Sequence, residues 1–229
     1  MIVEVIATNL QDALDAERYG ADRIELVGAI SEEGLTPSFG LIKQVVKKVS
    51  IPVQVMVRPH SYSFCYTADD LEAMMQDIEV VKELSAAGIV IGALDQTGEI
   101  AEDHLRLLLE KAEDLSVTFH RAFDHVPDQK QALERLTAYP QIDRILTSGK
   151  SHTAYEGMKQ IKELVNQSRR IKILAGSGLE PDGLKDFILT TGVQEIHFGS
   201  GVRKGKSFAK GIDRDQLRLV KEICMQFDY

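Results

Sequence analysis

The sequence has no tryptophan, only two cysteines and six prolines in 229 residues. Cys65 and Cys224 alone make neither a disulfide framework nor a CxxC metal knuckle. No stretch approaches the about 18 uninterrupted apolar residues of a transmembrane helix. Basic residues are in deficit: 27 Lys and Arg face 35 Asp and Glu, a net charge of −8. That balance argues against general nucleic-acid binding, which needs a basic face. The N-terminus, Met1-Ile2-Val3-Glu4-Val5, has a carboxylate where a secretory signal carries basic residues. The first turn, Ala7-Thr8-Asn9-Leu10, lacks the glycine-rich dinucleotide loop, and Gly-x-Ser-x-Gly is missing. What remains is a soluble cytoplasmic enzyme or small-ligand binder, with no nucleic-acid or membrane partner.

What is present is a regular alternation. Hydrophobic residues form 44% of the chain, enough for a sizeable core. Short β-branched runs read as strands at Ile2–Ile6, Arg23–Val27, Val53–Val57, Ile89–Leu94, Ser116–His120, Arg144–Thr147, Ile171–Ala175 and Glu195–Phe198. Helix signals fill the gaps. Asn9 caps a helix that stops at Gly20, Pro37 sits in the first turn of the next, and Thr67 starts a third through Leu84. Others read over Ala101–Ala112, from Val126-Pro127-Asp128, across Tyr155–Val165, from Glu180-Pro181 and from Asp213. Eight β-then-α units without a linker predict a single-domain (β/α)8 TIM-type barrel spanning residues 1–229.

Strand side chains alternate between faces. With Val3 and Val5 packed against helices, Glu4 points into the barrel, and so do Arg23 and Glu25 on the second strand. The same parity turns Gln54, Met56 and Arg58 inward, then Ser116, Thr118 and His120, then Glu195 and His197. Glu4, Glu25, Arg58, His120 and His197 are thus expected to share one cavity. Burying charge is costly, and Val or Ile would fill a barrel, so this clustering predicts a site with perturbed pKa values. The loops after the strands, where such barrels hold active sites, add Arg121 and Asp124. After strands seven and eight come Gly176-Ser177-Gly178 and Gly199-Ser200-Gly201, whose small residues let backbone N–H groups approach a phosphate or carboxylate. The inward positions hold no lysine for Schiff-base chemistry, and Lys150 reads as a surface residue at a helix start.

Several segments together resemble the CutC copper homeostasis family: Glu4, Gly20-Ala21-Asp22-Arg23-Ile24-Glu25-Leu26, Gly34-Leu35-Thr36-Pro37-Ser38, Arg58-Pro59, Phe64-Cys65-Tyr66, Thr118-Phe119-His120-Arg121-Ala122-Phe123-Asp124 and Leu146-Thr147-Ser148-Gly149. The likeness runs from Met1 to about Ser200. It implies a TIM-type barrel, a cytoplasmic homo-oligomer (a homodimer or larger) and Cu(I) binding or trafficking. The cysteines that the resemblance makes Cu(I) ligands, at the ends of strands one and two, correspond here to Ile6, Ala7 and Val27. Soft donors near the mouth reduce to Cys65 and Met56, with His60 and His120 as imidazoles and Cys65 the candidate metal ligand.

Two functions are therefore expected. One is Cu(I) homeostasis through Cys65 and nearby His or Met side chains. The alternative is an isomerase, epimerase or lyase acting on a small phosphorylated or carboxylated metabolite. In that reading Glu25 and His120 exchange protons, Arg58 and Arg121 hold or polarise the substrate, Asp124 orients a neighbour, and Glu4 completes the cluster. No organic cofactor is implied.

Overall fold

A computed structural model describes residues 1–227. Eight parallel strands close into a barrel in chain order. They are β1 (Ile2–Ala7), β2 (Arg23–Leu26), β3 (Val53–Met56), β4 (Gly88–Ile91), β5 (Ser116–Phe119), β6 (Ile142–Thr147), β7 (Lys172–Ala175) and β8 (Glu195–Phe198). Eight helices surround it: α1 (Leu10–Tyr19), α2 (Phe39–Lys48), α3 (Ala68–Glu83), α4 (Glu102–Ala112), α5 (Gln129–Thr137), α6 (Met158–Gln167), α7 (Leu184–Thr191) and α8 (Arg214–Met225). This is a single-domain TIM barrel, as the strand and helix rhythm predicts. Among the described residues, no helix is long and apolar enough to cross a membrane.

The local chemistry explains the element boundaries. The Asn9 side chain accepts from Asp12 N–H and starts α1, and Gly20 ends it at φ 107°. Thr67 and Asp70 form a reciprocal capping box for α3. Asp128 and Asp213 each accept two backbone N–H groups to open α5 and α8.

Four expectations shift. Pro37 lies outside α2, because Ser38 takes the capping role. The Tyr155 segment does not join α6; its ring packs on Phe187 and its hydroxyl donates to the carbonyls of Glu180 and Asp182. Helix α7 begins after Gly183 rather than at Pro181. Strand β4 stops at Ile91, and Gly92 leaves the sheet.

The outer face of the barrel is apolar, with Val3, Val5, Ile24, Val55, Ile89 and Ile196 buried against helices. The inner face is polar at the predicted parity. Register places Glu4 beside Arg23 on one side and His197 on the other. At the lower, N-terminal end, Arg23 joins Glu4 to Glu195, and Arg144 lies 3.2 Å from Glu195. Arg144 also donates to the hydroxyls of Ser116 and Thr118. Each charge faces one of opposite sign, which lowers the cost of burial, although Arg144 Nε makes no hydrogen bond.

Candidate functional site

The site sits at the C-terminal end of the strands, in a cavity of about 290 Å³. Its walls include Glu25 from β2, Arg58 beyond β3, His120 and Arg121 beyond β5, His197 from β8, and Ser177, Gly178, Gly199, Ser200 and Gly201 from the last two loops. The position matches the functional end of such barrels.

At its floor, His197 lies between two glutamates. Its Nδ1 is 2.8 Å from Glu4 Oε1, and its Nε2 is 3.8 Å from Glu25 Oε2. The glutamates behave oppositely. Burial opposes ionisation of Glu4, but the Arg23 guanidinium and the His197 hydrogen bond outweigh it and hold the carboxyl down at about 2. Glu25 has no such clamp. Burial, aided by the Glu4 charge, pushes it up to about 7, and its Oε1 has no hydrogen-bond partner. His197 also meets a burial penalty, yet the Glu25 charge and the Glu4 contact raise its pKa. Glu4 therefore fixes the ring while Glu25 can exchange a proton near neutral pH.

His120 lies on the cavity wall. Its Nδ1 accepts the Ala122 N–H at 3.1 Å, while its buried Nε2 has no partner. Burial, with the Arg58 charge, pushes its pKa down to about 3.

The two arginines differ. Arg58 spends its terminal N–H groups on the carbonyls of Glu32, Gly34 and Ser61, and its guanidinium lies 4.7 Å from the Phe64 ring centre. It ties the loops after β2 and β3 together, and its buried Nε has no hydrogen-bond partner. Arg121 is more exposed and is anchored by Asp124 at 2.8 Å and by Ser148 at 3.1 Å.

The glycine loops are built for close approach. A Cβ on Gly201 would stand 1.9 Å from the Leu179 carbonyl oxygen, and Gly178 has φ +68°. The N–H groups of Ser177, Gly178 and Leu179 find no protein acceptor among the described residues. Such donors suit an anion.

Some expected site residues fall elsewhere. Glu4, Asp124, Gly176 and Cys65 are not among the cavity-lining residues. Asp124 is a structural hub, accepting from Thr147, Ser148, Lys150, Gln129 and Arg121. Gly176 packs closely against Leu146 and His197, where a Cβ would lie 2.7 Å from Leu146 Cδ1. Cys65 turns its thiol to the Asp95 carbonyl at 3.1 Å. Lys150 marks no helix start; its ammonium donates to the carbonyls of Val126 and Pro127.

Strand parity does not find Arg144, because the β-branched run that marks β6 covers only its last four residues, too few to set a face. It also misses Phe64, His125, Leu179 and Phe208, which line the cavity from loops without periodicity.

Among the described residues, one group could hold a metal ion: Glu4, Glu25 and His197. Its donors are carboxylate and imidazole. Cu(I) prefers thiolate and thioether sulfur, and only Met56 brings sulfur to the cavity wall. Cys224 is buried in α8. Among the described residues, the cavity donors are therefore poorly matched to Cu(I).

Comparison with known proteins follows this geometry. Residues 1–202 match the family model described as the CutC family. A CutC family protein of Histophilus somni is 42% identical over 99% of this chain and 100% of its own. One from Enterobacter sp. is 41% identical over 87% of this chain and 80% of its own. A crystal structure of CutC from Streptococcus agalactiae, provisionally assigned to copper homeostasis, superposes with a TM-score of 0.81 at 33% identity, covering 87% of this chain and 98% of that one. Phosphoribosylanthranilate isomerase of Thermotoga maritima shares the fold at 16% identity and a TM-score of 0.65, over 99% of this chain and 100% of that one.

Proposed function

Because the chain belongs to the CutC family, whose copper association its own donor set does not serve, we propose that it is a cytoplasmic enzyme. Its substrate is a small phosphorylated or carboxylated metabolite, transformed by proton transfer. The observation that carries this reading is Glu25: a buried carboxyl with an unpartnered oxygen, held near neutrality at about 7, on the wall of a cavity. Glu4 is clamped by hydrogen bonds from Arg23 and His197, whereas among the described residues Glu25 meets only His197, at 3.8 Å. Glu25 exchanges the proton, with His197 tuning it from below. His120 contacts the reacting group. Arg121 and the loops Ser177–Leu179 and Gly199–Gly201 receive the anion.

A phosphate titration followed by backbone NMR tests the anion site. Phosphate is expected to shift the amide signals of Ser177, Gly178 and Gly201, with weakened binding in Arg121→Gln. No shift at those amides at high phosphate overturns the proposal. A thermal-shift screen of phosphorylated metabolites then identifies the substrate, since specific binding raises apparent stability by mass action.

Family membership supports a second reading, Cu(I) binding. Anaerobic Cu(I) titration of wild type and Cys65→Ser addresses it. Equal affinities are expected, because the Cys65 thiol is engaged by the Asp95 carbonyl and Cys65 does not line the cavity. A large loss in the variant restores Cys65 as a ligand.

A further inference from the structure

We infer that His120 is a neutral hydrogen-bond donor, presenting Nε2–H to a substrate carbonyl oxygen, and that the reaction it serves is a 1,2-proton shift in an α-hydroxycarbonyl phosphate. This rests on the enzyme reading above and narrows it.

The tautomer follows from one hydrogen bond. The Ala122 N–H donates to His120 Nδ1 at 3.1 Å, so Nδ1 is the acceptor and the proton of the neutral ring resides on Nε2. That Nε2–H is buried on the cavity wall with no protein partner. An unsatisfied buried donor carries a desolvation penalty that a substrate oxygen would relieve. Neutrality is maintained by the surroundings. Arg58 and His125 are the positively charged or protonatable neighbours, and burial acts in the same direction. The rings of Phe64 and Phe119 pack against the imidazole.

The fold makes room for this ring. Strand β4 ends at Ile91, and the next residue is Gly92. A Cβ there would lie 2.6 Å from both Cε1 and Nδ1 of His120. Gly92 is thus a positioning residue, one that neither helix nor strand propensity demands.

A neutral imidazole is a poor proton shuttle but a good donor to a developing oxyanion. Glu25 then serves as the base. Its carboxylate removes the proton from the carbon next to the carbonyl. The C–H electron pair becomes the C=C bond of an enediol, and the carbonyl π electrons move onto oxygen, where His120 Nε2–H meets the charge. Glu25 returns the proton to the former carbonyl carbon. The hydroxyl hydrogen passes between the two oxygens, leaving the carbonyl one carbon along. No oxidant, reductant or second substrate is required. The phosphate occupies the loops after β7 and β8.

Two measurements test the inference on the full chain. In long-range 15N–1H spectra, with the signal assigned by its loss in His120→Gln, the ring is expected as the Nε2–H tautomer. It should remain neutral well below its ordinary 6.5. An Nδ1–H tautomer, or titration near 6.5, overturns it.

Calorimetry then compares inorganic phosphate with phosphoglycolohydroxamate, a phosphorylated enediolate mimic. Wild type is expected to prefer the mimic by about 100-fold or more. His120→Gln and Gly92→Ala should lose most of that preference while binding phosphate equally. Phosphate binding without preference for the mimic overturns this inference and spares the enzyme reading. Failure to bind either removes both.

Discussion

Glu4 and Glu25 are the same side chain on adjacent strands of one barrel, yet their surroundings push the carboxyls apart, to about 2 and about 7. Each shift has a stability consequence of opposite sign. The pairing of Glu4 stabilises the fold above 4.5, its ordinary value, and that contribution is lost as pH falls toward 2. Glu25 works the other way. Below 4.5 it is protonated in both folded and unfolded chains, and its burial carries no ionisation penalty. As pH rises toward 7 the unfolded chain releases the proton first, so stability is lost across that window and stays reduced above it. Glu25→Gln is therefore expected to be more stable than wild type at about pH 8, by roughly 1–3 kcal/mol. The gain should shrink at about pH 5. Urea unfolding at the two pH values reads this directly. A variant less stable than wild type at the higher pH would show that Glu25 is held as a paired structural anion. The expected gain is the pattern of a residue kept for chemistry at the expense of stability.

At the scale of elements, the loops that form the mouth are held by side chains whose partners lie far along the chain. Asp124 follows β5, but it accepts from the Thr147 hydroxyl, the Ser148 N–H and the Lys150 N–H beyond β6, and from Gln129 at the start of α5. Replacing it by Asn turns one accepting oxygen into a donor facing donors. Asp124→Asn is expected to cost about 2–4 kcal/mol, because several buried N–H and O–H groups lose their acceptor. Arg121→Gln, which removes only a half-exposed partner, should cost less than about 1 kcal/mol. Chemical denaturation separates the two. An Asp124→Asn variant of normal stability that fails to bind phosphate would place Asp124 at the ligand instead.

The same contrast shows what sequence could reveal. Period-two alternation exposed Glu4, Glu25, Arg58, His120 and His197 as inward-facing, because sheet geometry dictates the face once one position is set. The caps Asn9, Thr67, Asp128 and Asp213 were legible because their partners lie two or three residues away. The hub role of Asp124 was not, since its partners lie up to 26 residues distant. Nor was the clamp of Arg203 on Asp12, 191 residues away, which holds the last loop beside the first. The thiol of Cys65 likewise depends on a loop, at Asp95, with no period to reveal it.

The whole barrel divides along its axis. In the lower half every charge has a partner: Arg23 with Glu4 and Glu195, Arg144 with Glu195. Three buried polar atoms of the upper half have no hydrogen-bond partner among the described residues, Glu25 Oε1, Arg58 Nε and His120 Nε2, and the lower half leaves Gln54 Oε1 and Arg144 Nε in the same condition. Unsatisfied buried groups are expensive, and those of the upper half differ in bordering an open cavity, where a ligand can meet them. The division predicts separable mutational effects. Arg23→Met would strand two buried carboxylates and is expected to cost about 3–5 kcal/mol. Because Arg23 lies outside the cavity walls, phosphate affinity should hold at temperatures where the variant remains folded. His120→Gln should do the reverse for an enediolate mimic: small change in unfolding midpoint, large loss of affinity. Urea midpoints and calorimetric affinities of both variants complete the comparison. If Arg23→Met weakens phosphate binding as much as it weakens the fold, the lower network is electrostatically coupled to the site through Glu4 and His197. The barrel would then work as one unit rather than as a paired base supporting a receptive mouth.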